Sequence, residues 1–174
     1  MGKLFFVFDV ESVGLHGEGF SVAGGTYRET GECLYEFCFS VPRELARGTK
    51  ASRIWVDENV PKLPRTHATL KAMRTDFWEE WLHAKKLGAV AVADCAWPVE
   101  ARFLAACVDD DHEAREWEGP YPLHDLASIQ LAYGVDPLAT NERLPNELPA
   151  HHPQRDVRQS ARLLAEAISN KEAK

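Results

Sequence analysis

Apolar positions follow two different rhythms along this chain. Residues 3–10, KLFFVFDV, are apolar almost throughout, as a central strand covered on both faces must be. Residues 19–41, GFSVAGGTYRETGECLYEFCFSV, read as two more strands around the turn Glu29-Thr30-Gly31-Glu32. Their alternation is clearest through Leu34, Glu36, Cys38 and Ser40. Three strands joined by short links predict an antiparallel meander. The rhythm then changes. In residues 66–88, Leu70, Met73, Phe77, Trp81 and Ala84 recur at three- and four-residue steps, predicting an amphipathic helix capped by Thr66 or Thr69 and stopped at Gly88.

The remaining segments alternate the same two signals. AVAVAD (89–94) is a small-residue strand ending in an acid, and CAWPVEARFLAACV (95–108) reads as a helix with Pro98 in its first turn. DDDHEAREWEG (109–119) reads as a polar loop. PLHDLASIQLAYGVDP (122–137) reads as a short strand end running into a helix closed by Gly134. Residues 138–153 are broken by Pro145, Pro149 and Pro153. A last helix follows, with Val157, Ala161, Leu164 or Ala165 and Ile168 inward and a charged, frayed tail. Residues 42–64 fit an irregular connection or short helix over the sheet, carrying Arg43, Arg47, Lys50, Arg53 and Trp55. Three strands followed by strand-helix units imply an α/β fold with a mixed sheet flanked by helices.

A length of 174 residues fits one domain spanning 1–174, and the balance of 45% hydrophobic to 27% charged residues is that of a globular protein. The longest apolar runs fall well short of the ~20 residues that cross a bilayer, and the N-terminus lacks the pattern of a signal peptide. No membrane association and a cytoplasmic location are therefore expected. Cys33, Cys38, Cys95 and Cys107 form no close pair and are expected as buried free thiols. A net charge of -7 excludes coating of duplex DNA by bulk electrostatics, but leaves room for a basic rim around an acidic centre.

The chemistry gathers at strand ends. In FVFDVESVGL, Asp9 and Glu11 lie two apart, so an extended strand presents both carboxylates on one side. Side by side they repel, and a divalent cation relieves the repulsion; hard oxygen ligands suit Mg²⁺ or Mn²⁺. The alternative is a strand ending in two solvated acids. Asp94 closes a second strand, and ligands in such sheets gather where strands end. Far downstream, HHPQRD places His151 in a loop and Asp156 in the first turns of a helix, where both can face one cleft.

FVFDVESVGL resembles the first motif of the DnaQ-like (DEDDh) 3′–5′ exonucleases of the ribonuclease H-like superfamily, and HHPQRDVRQSARLL resembles their third, with Pro153 at a usually small position. The resemblance covers nearly the whole chain. It implies a ribonuclease H-like five-stranded sheet, three antiparallel strands and then parallel ones. It also implies hydrolysis of DNA or RNA phosphodiesters by two divalent ions, Mg²⁺ or Mn²⁺, releasing nucleoside 5′-monophosphates from a 3′ end. Asp9 would bridge the ions, Glu11 and Asp156 would complete their shells, and His151 would be the general base. An ordinary imidazole titrates near ~6.5, which suits that task. His152 is the competing neighbour. The middle acid is divided: register favours Glu100, whereas residue type and strand-end position favour Asp94. Asp125 matches a family aspartate for which a structural or capping role is expected.

For substrate, the resemblance places contacts with the terminal nucleotide at Gly14 and Leu15. Phe20 or Trp97 offers a stacking ring, with core packing as the competing fate, and Arg43 to Arg53 with Arg155 or Arg158 offer phosphate contacts, with a solvated face as theirs. The expected partner is single-stranded or 3′-end nucleic acid, and a homodimer or association in trans with replication or repair proteins stays open. Two rivals remain. A strand-end D-x-D phosphatase is disfavoured by Glu11 and by the spacing of His151 and Asp156. A nucleic-acid-binding or protein-interaction module of the same fold, with a weakened metal site, draws on the irregular middle motif.

Overall fold

The computed structural model describes residues 2–172, so the end of the expected frayed tail, residues 173 and 174, lies outside the described residues. Strands β1 (Leu4–Ser12), β2 (Gly19–Arg28) and β3 (Cys33–Ser40) form the meander. With β4 (Val90–Ala93) and β5 (His124–Asp125) they make one sheet in the order β3-β2-β1-β4-β5. Pairing is antiparallel between β1 and β2 and between β2 and β3, and parallel between β1 and β4 and between β4 and β5. The flanking helices are α1 (Lys50–Asn59), α2 (Leu70–Lys86), α3 (Ala101–Asp109), α4 (His112–Arg115), α5 (Leu126–Ala132) and α6 (Pro153–Glu172). No helix among the described residues is long and apolar enough to cross a membrane.

β1 is apolar on both sides because both sides are covered. Phe6, Phe8 and Val10 join Met73, Phe77, Trp78 and Trp81 of α2 and Phe103 of α3 in one core. Phe5 and Val7 join Leu126 of α5 and Val157, Ala161 and Leu164 of α6 in the other. In the first core the Phe8 and Phe77 rings lie 5.4 Å apart and Phe77 and Phe103 5.1 Å, inside the range where aromatic pairs add about 0.5–1.5 kcal/mol beyond their burial. Gly24 of β2 makes this possible: a Cβ there would lie 2.7 Å from the Phe37 ring.

Side chains alternate along a strand, so Asp9 and Glu11 share the side of Phe5 and Val7, which faces α6. The parallel ladder between β1 and β4 ends at the pair Phe8 and Ala93. Asp9 and Asp94 are therefore the first residues beyond it, where the two strands part.

The structure decides between several open readings and corrects others. Thr69, not Thr66, caps α2, its hydroxyl accepting from Ala72 N at 3.1 Å; Thr66 ties the segment before α2 to Ser40. Pro98 stands in the first helical turn, as expected, but that turn, Ala96–Glu100, is irregular: Trp97 before it is extended, and regular α3 begins at Ala101. The supposed loop 109–119 contains α4, capped by Asp111, and its Arg115 is buried over the Trp78 ring. The segment 42–64 resolves into a single turn at Arg43–Leu45 and the true helix α1, capped by Thr49. Only Cys107 is a buried thiol; Cys33 and Cys95 are exposed and Cys38 is half-buried, although all four are free.

Candidate active site

Three elements meet at the point where β1 and β4 separate. From β1 come Asp9 and Glu11; from the irregular turn before α3 comes Glu100, only 5% exposed; from the start of α6 come His151 and Asp156. Pro153 opens α6, where its missing N–H costs nothing, and the backbone N–H of Asp156 donates to the His152 carbonyl at 3.0 Å. This puts the Asp156 carboxylate in the first helical turn, where the helix dipole favours a negative charge. α6 itself is pinned to the sheet through β3. Arg158 donates from Nε and Nη2 to the Glu36 carboxylate, the Nη2 bond being 2.7 Å, and Tyr27 Oη donates to the same group at 2.7 Å.

The convergence is tight. A ligand atom from each of Glu11, His151 and Asp156 lies within 4.8 Å of the others. His151 holds a left-handed backbone at φ 59°, and its ring meets the edge of Trp55 from α1 at 5.2 Å. His152 turns away: it is half-buried, with Nδ1 free of any hydrogen-bond partner and its pKa lowered by burial. Burial, then the charges of Glu11, Asp156, Glu100 and Asp94 in that order, push Asp9 far above the ordinary carboxylate range. Burial, then the charges of Asp156 and Glu100, raise Glu11 to about 8 against the pull of Arg143 and Arg43, and burial raises Glu100 to about 7. Asp156 is also raised by burial, against the pull of Arg143.

Such a cluster fits a cation. Asp9 Oδ2 is buried without a hydrogen-bond partner among the described residues, and the carboxylate oxygens form a hard donor set, with one imidazole, a borderline donor, beside them. Glu11, His151 and Asp156, with Asp9 beneath them, are the residues able to hold a metal. Both candidates for the middle acid stand on the wall. Glu100 is buried against Val10; Asp94 is exposed as a residue, yet its carboxyl is covered enough that burial raises it too, with Ser160 Oγ 3.4 Å away.

The remaining predicted residues divide. Gly14, at φ 79°, turns the chain after β1 so closely against α1 that a side chain there would strike Ser52, and Leu15 beside it is 66% exposed. Asp125 caps α5, accepting from Ser128 N at 2.7 Å and from Ala96 N at 2.8 Å. Phe20 is core, which removes it as a stacking ring, while Trp97 is exposed. Most of the basic cluster is paired within the chain: Arg43 binds Asp57 and the carbonyls ending α1, Arg53 binds the Ala46 carbonyl, Arg158 binds Glu36, and Arg47, itself exposed, binds Glu18. Arg143 and Glu147 went unnoticed in the sequence. A cavity of about 880 Å³ beside α6 is lined by Tyr27, Glu36, Arg158 and Arg162, whose charges already pair with one another or with Glu147, and it stands apart from the acids.

Comparison with solved structures places this arrangement in a known fold. The chain superposes over its whole length on Escherichia coli exonuclease I bound to single-stranded DNA, in a zinc-bound form, at a TM-score of 0.67 and 12% identity. The fold is that of the matched part of exonuclease I. An apo form of exonuclease I matches 97% of the chain at a TM-score of 0.65 and 13% identity, and a further exonuclease I structure matches 94% at 0.63 and 14%. The chain spans 42% of the exonuclease I chain in the first two. The mixed sheet and its flanking helices are thus ribonuclease H-like. No family model and no curated protein matches by sequence.

Proposed function

We propose that this chain is a metal-dependent 3′–5′ exonuclease acting on single-stranded DNA or RNA and releasing nucleoside 5′-monophosphates. The observation that carries the reading is the meeting of Glu11, His151 and Asp156 within 4.8 Å beside the unpartnered Asp9 carboxylate. Five carboxyl groups pushed toward protonation, Asp9, Glu11, Asp94, Glu100 and Asp156, have no use in a solvated strand end. They suit divalent cations, Mg²⁺ or Mn²⁺, which when bound supply charge stabilisation for an in-line phosphoryl displacement. Asp9, Glu11 and Asp156 would hold the ions, with Glu100 as the buried fourth carboxylate and Asp94 as the exposed alternative.

His151 takes the proton of the attacking water. It stands at the open side of the cluster, exposed, and the edge of Trp55 limits the orientations of its ring. Gly14 lets the backbone come close to a terminal nucleotide, and the exposed Leu15 offers an apolar contact for its base or sugar. A groove of about 580 Å³ starts there, lined by Leu15, His16, Arg47, Thr49, Ser52 and Arg102, and gives a path for the strand. Single strands are favoured because the chain is acidic overall and because the exonuclease I it resembles was captured with single-stranded DNA.

The test is shortening of 3′- and 5′-labelled DNA and RNA, single- and double-stranded, with Mn²⁺ or Mg²⁺ and with EDTA. Metal-dependent loss from the 3′ end is expected, abolished in Asp9→Ala. Shortening from the 5′ end overturns the direction, and no cleavage under any condition leaves a binding module of this fold as the better reading.

A further inference from the structure

The acid cluster already contains a cation of its own. Arg143 Nη1 donates to Asp156 Oδ1 at 2.5 Å, the two side chains being 24% and 15% exposed. The same Nη1 donates to the Glu147 carbonyl at 2.9 Å. Arg143 belongs to the proline-broken stretch before α6, which has no regular structure beyond the single turn Pro145–Glu147. That stretch is nevertheless latched. The Glu147 carboxylate is almost wholly buried, accepts from Arg162 Nε at 2.7 Å and Nη2 at 2.9 Å, and also accepts from Leu144 N, next to Arg143, at 2.9 Å. The guanidinium is therefore aimed at Asp156 by a buried ion pair, and a charge-assisted bond is strong and directional.

Asp156 is also one corner of the triangle with Glu11 and His151. A divalent ion held by Asp9, Glu11 and Asp156 and a guanidinium on the same Asp156 carboxylate repel each other at close range. We propose that Arg143 is a built-in competitor for the metal: it offsets the charge of Asp156 while the metal is absent, leaves Asp156 when a divalent ion binds, and then contacts a substrate phosphate. The inference rests on the nuclease reading of the site. Its signature is a pair of opposite effects. Removing the charge must tighten metal binding and weaken nucleic-acid binding, whereas a mere structural defect weakens both.

The experiment compares the parent with Arg143→Gln and Arg143→Lys. Mn²⁺ affinity is measured by titration calorimetry, and affinity for a short single-stranded phosphorothioate oligothymidylate is measured by fluorescence anisotropy in Ca²⁺. R143Q is expected to bind Mn²⁺ about tenfold tighter, the scale on which one nearby unit charge shifts such equilibria, and the oligonucleotide several-fold more weakly. R143K keeps the charge and is expected to stay close to the parent in both. Equal or weaker Mn²⁺ binding by R143Q, beside a parent that binds Mn²⁺, overturns the competition and leaves the nuclease reading intact. Unchanged oligonucleotide affinity in R143Q overturns the phosphate contact. No Mn²⁺ binding by the parent overturns the metal-site reading itself.

Discussion

Replacing Glu11 by Gln should stabilise the metal-free protein above neutral pH while removing its response to divalent ions. The side chain is 9% exposed, and burial together with Asp156 and Glu100 raises its pKa from 4.5 to about 8. An acid whose folded pKa lies above its unfolded one binds more protons when folded. Stability from this group is therefore full below pH ~4.5, falls as pH rises and reaches its floor above pH ~8. At ~1.4 kcal/mol per pH unit the whole interval corresponds to about 5 kcal/mol. Asp9, Glu100 and Asp156 share the repulsion, so deleting one charge recovers only part of it, on the order of 2–3 kcal/mol, or roughly 5–10 °C for a chain of this length. The assay is thermal and urea unfolding in EDTA at pH 5 and pH 8.5, then with added Mn²⁺. Parent and E11Q should coincide at pH 5 and separate at pH 8.5 with E11Q the more stable; Mn²⁺ should then raise the parent alone. Equal stabilities at both pH values would refute the claim that ionised Glu11 strains the fold.

Three further outcomes are expected. His151→Ala should lower the hydrolytic rate by about 10²–10⁴ with Mn²⁺ affinity little changed, measured by single-turnover cleavage beside calorimetry; a collapse of metal affinity would make His151 a ligand and not a base. Glu147→Ala removes the buried partner of Arg162 and should cost about 2–4 kcal/mol in urea unfolding; a neutral result would show that the latch is dispensable. Gly24→Val presses on the Phe37 ring and the Val7 carbonyl and should destabilise by about 1–3 kcal/mol; an unchanged midpoint would mean that the ring has room to move.

The parts of the fold that could be read in the sequence are those where one residue type does one thing. KLFFVFDV is apolar on both faces and became the central strand; Leu70, Met73, Phe77, Trp81 and Ala84 carry the period of α2. The positions missed carry two meanings. Trp78 adjoins Phe77 outside the simple period, yet it is buried, because α4 brings Arg115 over its ring. DDDHEAREWEG reads as a solvated loop because its charges outnumber its apolar residues, and only the spacing from Asp111 to Ala114, an N-cap signal, pointed to α4. At the site, the acids of β1 and the histidine and acid before and within α6 were legible from spacing. The choice between Asp94 and Glu100 was not, because the chain between them leaves regular geometry at Trp97. Arg143 and Glu147 were hidden by three prolines. Leu144 and Glu147, three apart before a helix, were the available trace of the latch.

Two glutamates show how the chain distributes its charge. Burial works to raise Glu36 as it raises Glu11, but Arg158, Tyr27 and Gln154 all donate to Glu36 and hold it below its ordinary value. Glu11 has no such donors and rises to about 8. The difference is not a shortage of arginine: Arg158 and Arg162 both lie on α6, two and six residues beyond Asp156. They pair with Glu36 and Glu147, around the cluster and not within it. This arrangement sets the mechanics of the site. Repulsion among Asp9, Glu11 and Asp156 pushes the start of α6 away from β1, and the outer ion pairs, with Val157, Ala161 and Leu164 packed on Phe5 and Val7, hold it in place. The strain is thereby kept available for a bound cation to relieve. Breaking the outer clamp with Arg158→Ala should therefore loosen α6 most when the cluster is ionised, giving a deficit against the parent that widens from pH 5 to pH 8.5 in EDTA and narrows again in Mn²⁺. A deficit independent of both pH and metal would mean that clamp and cluster are energetically separate.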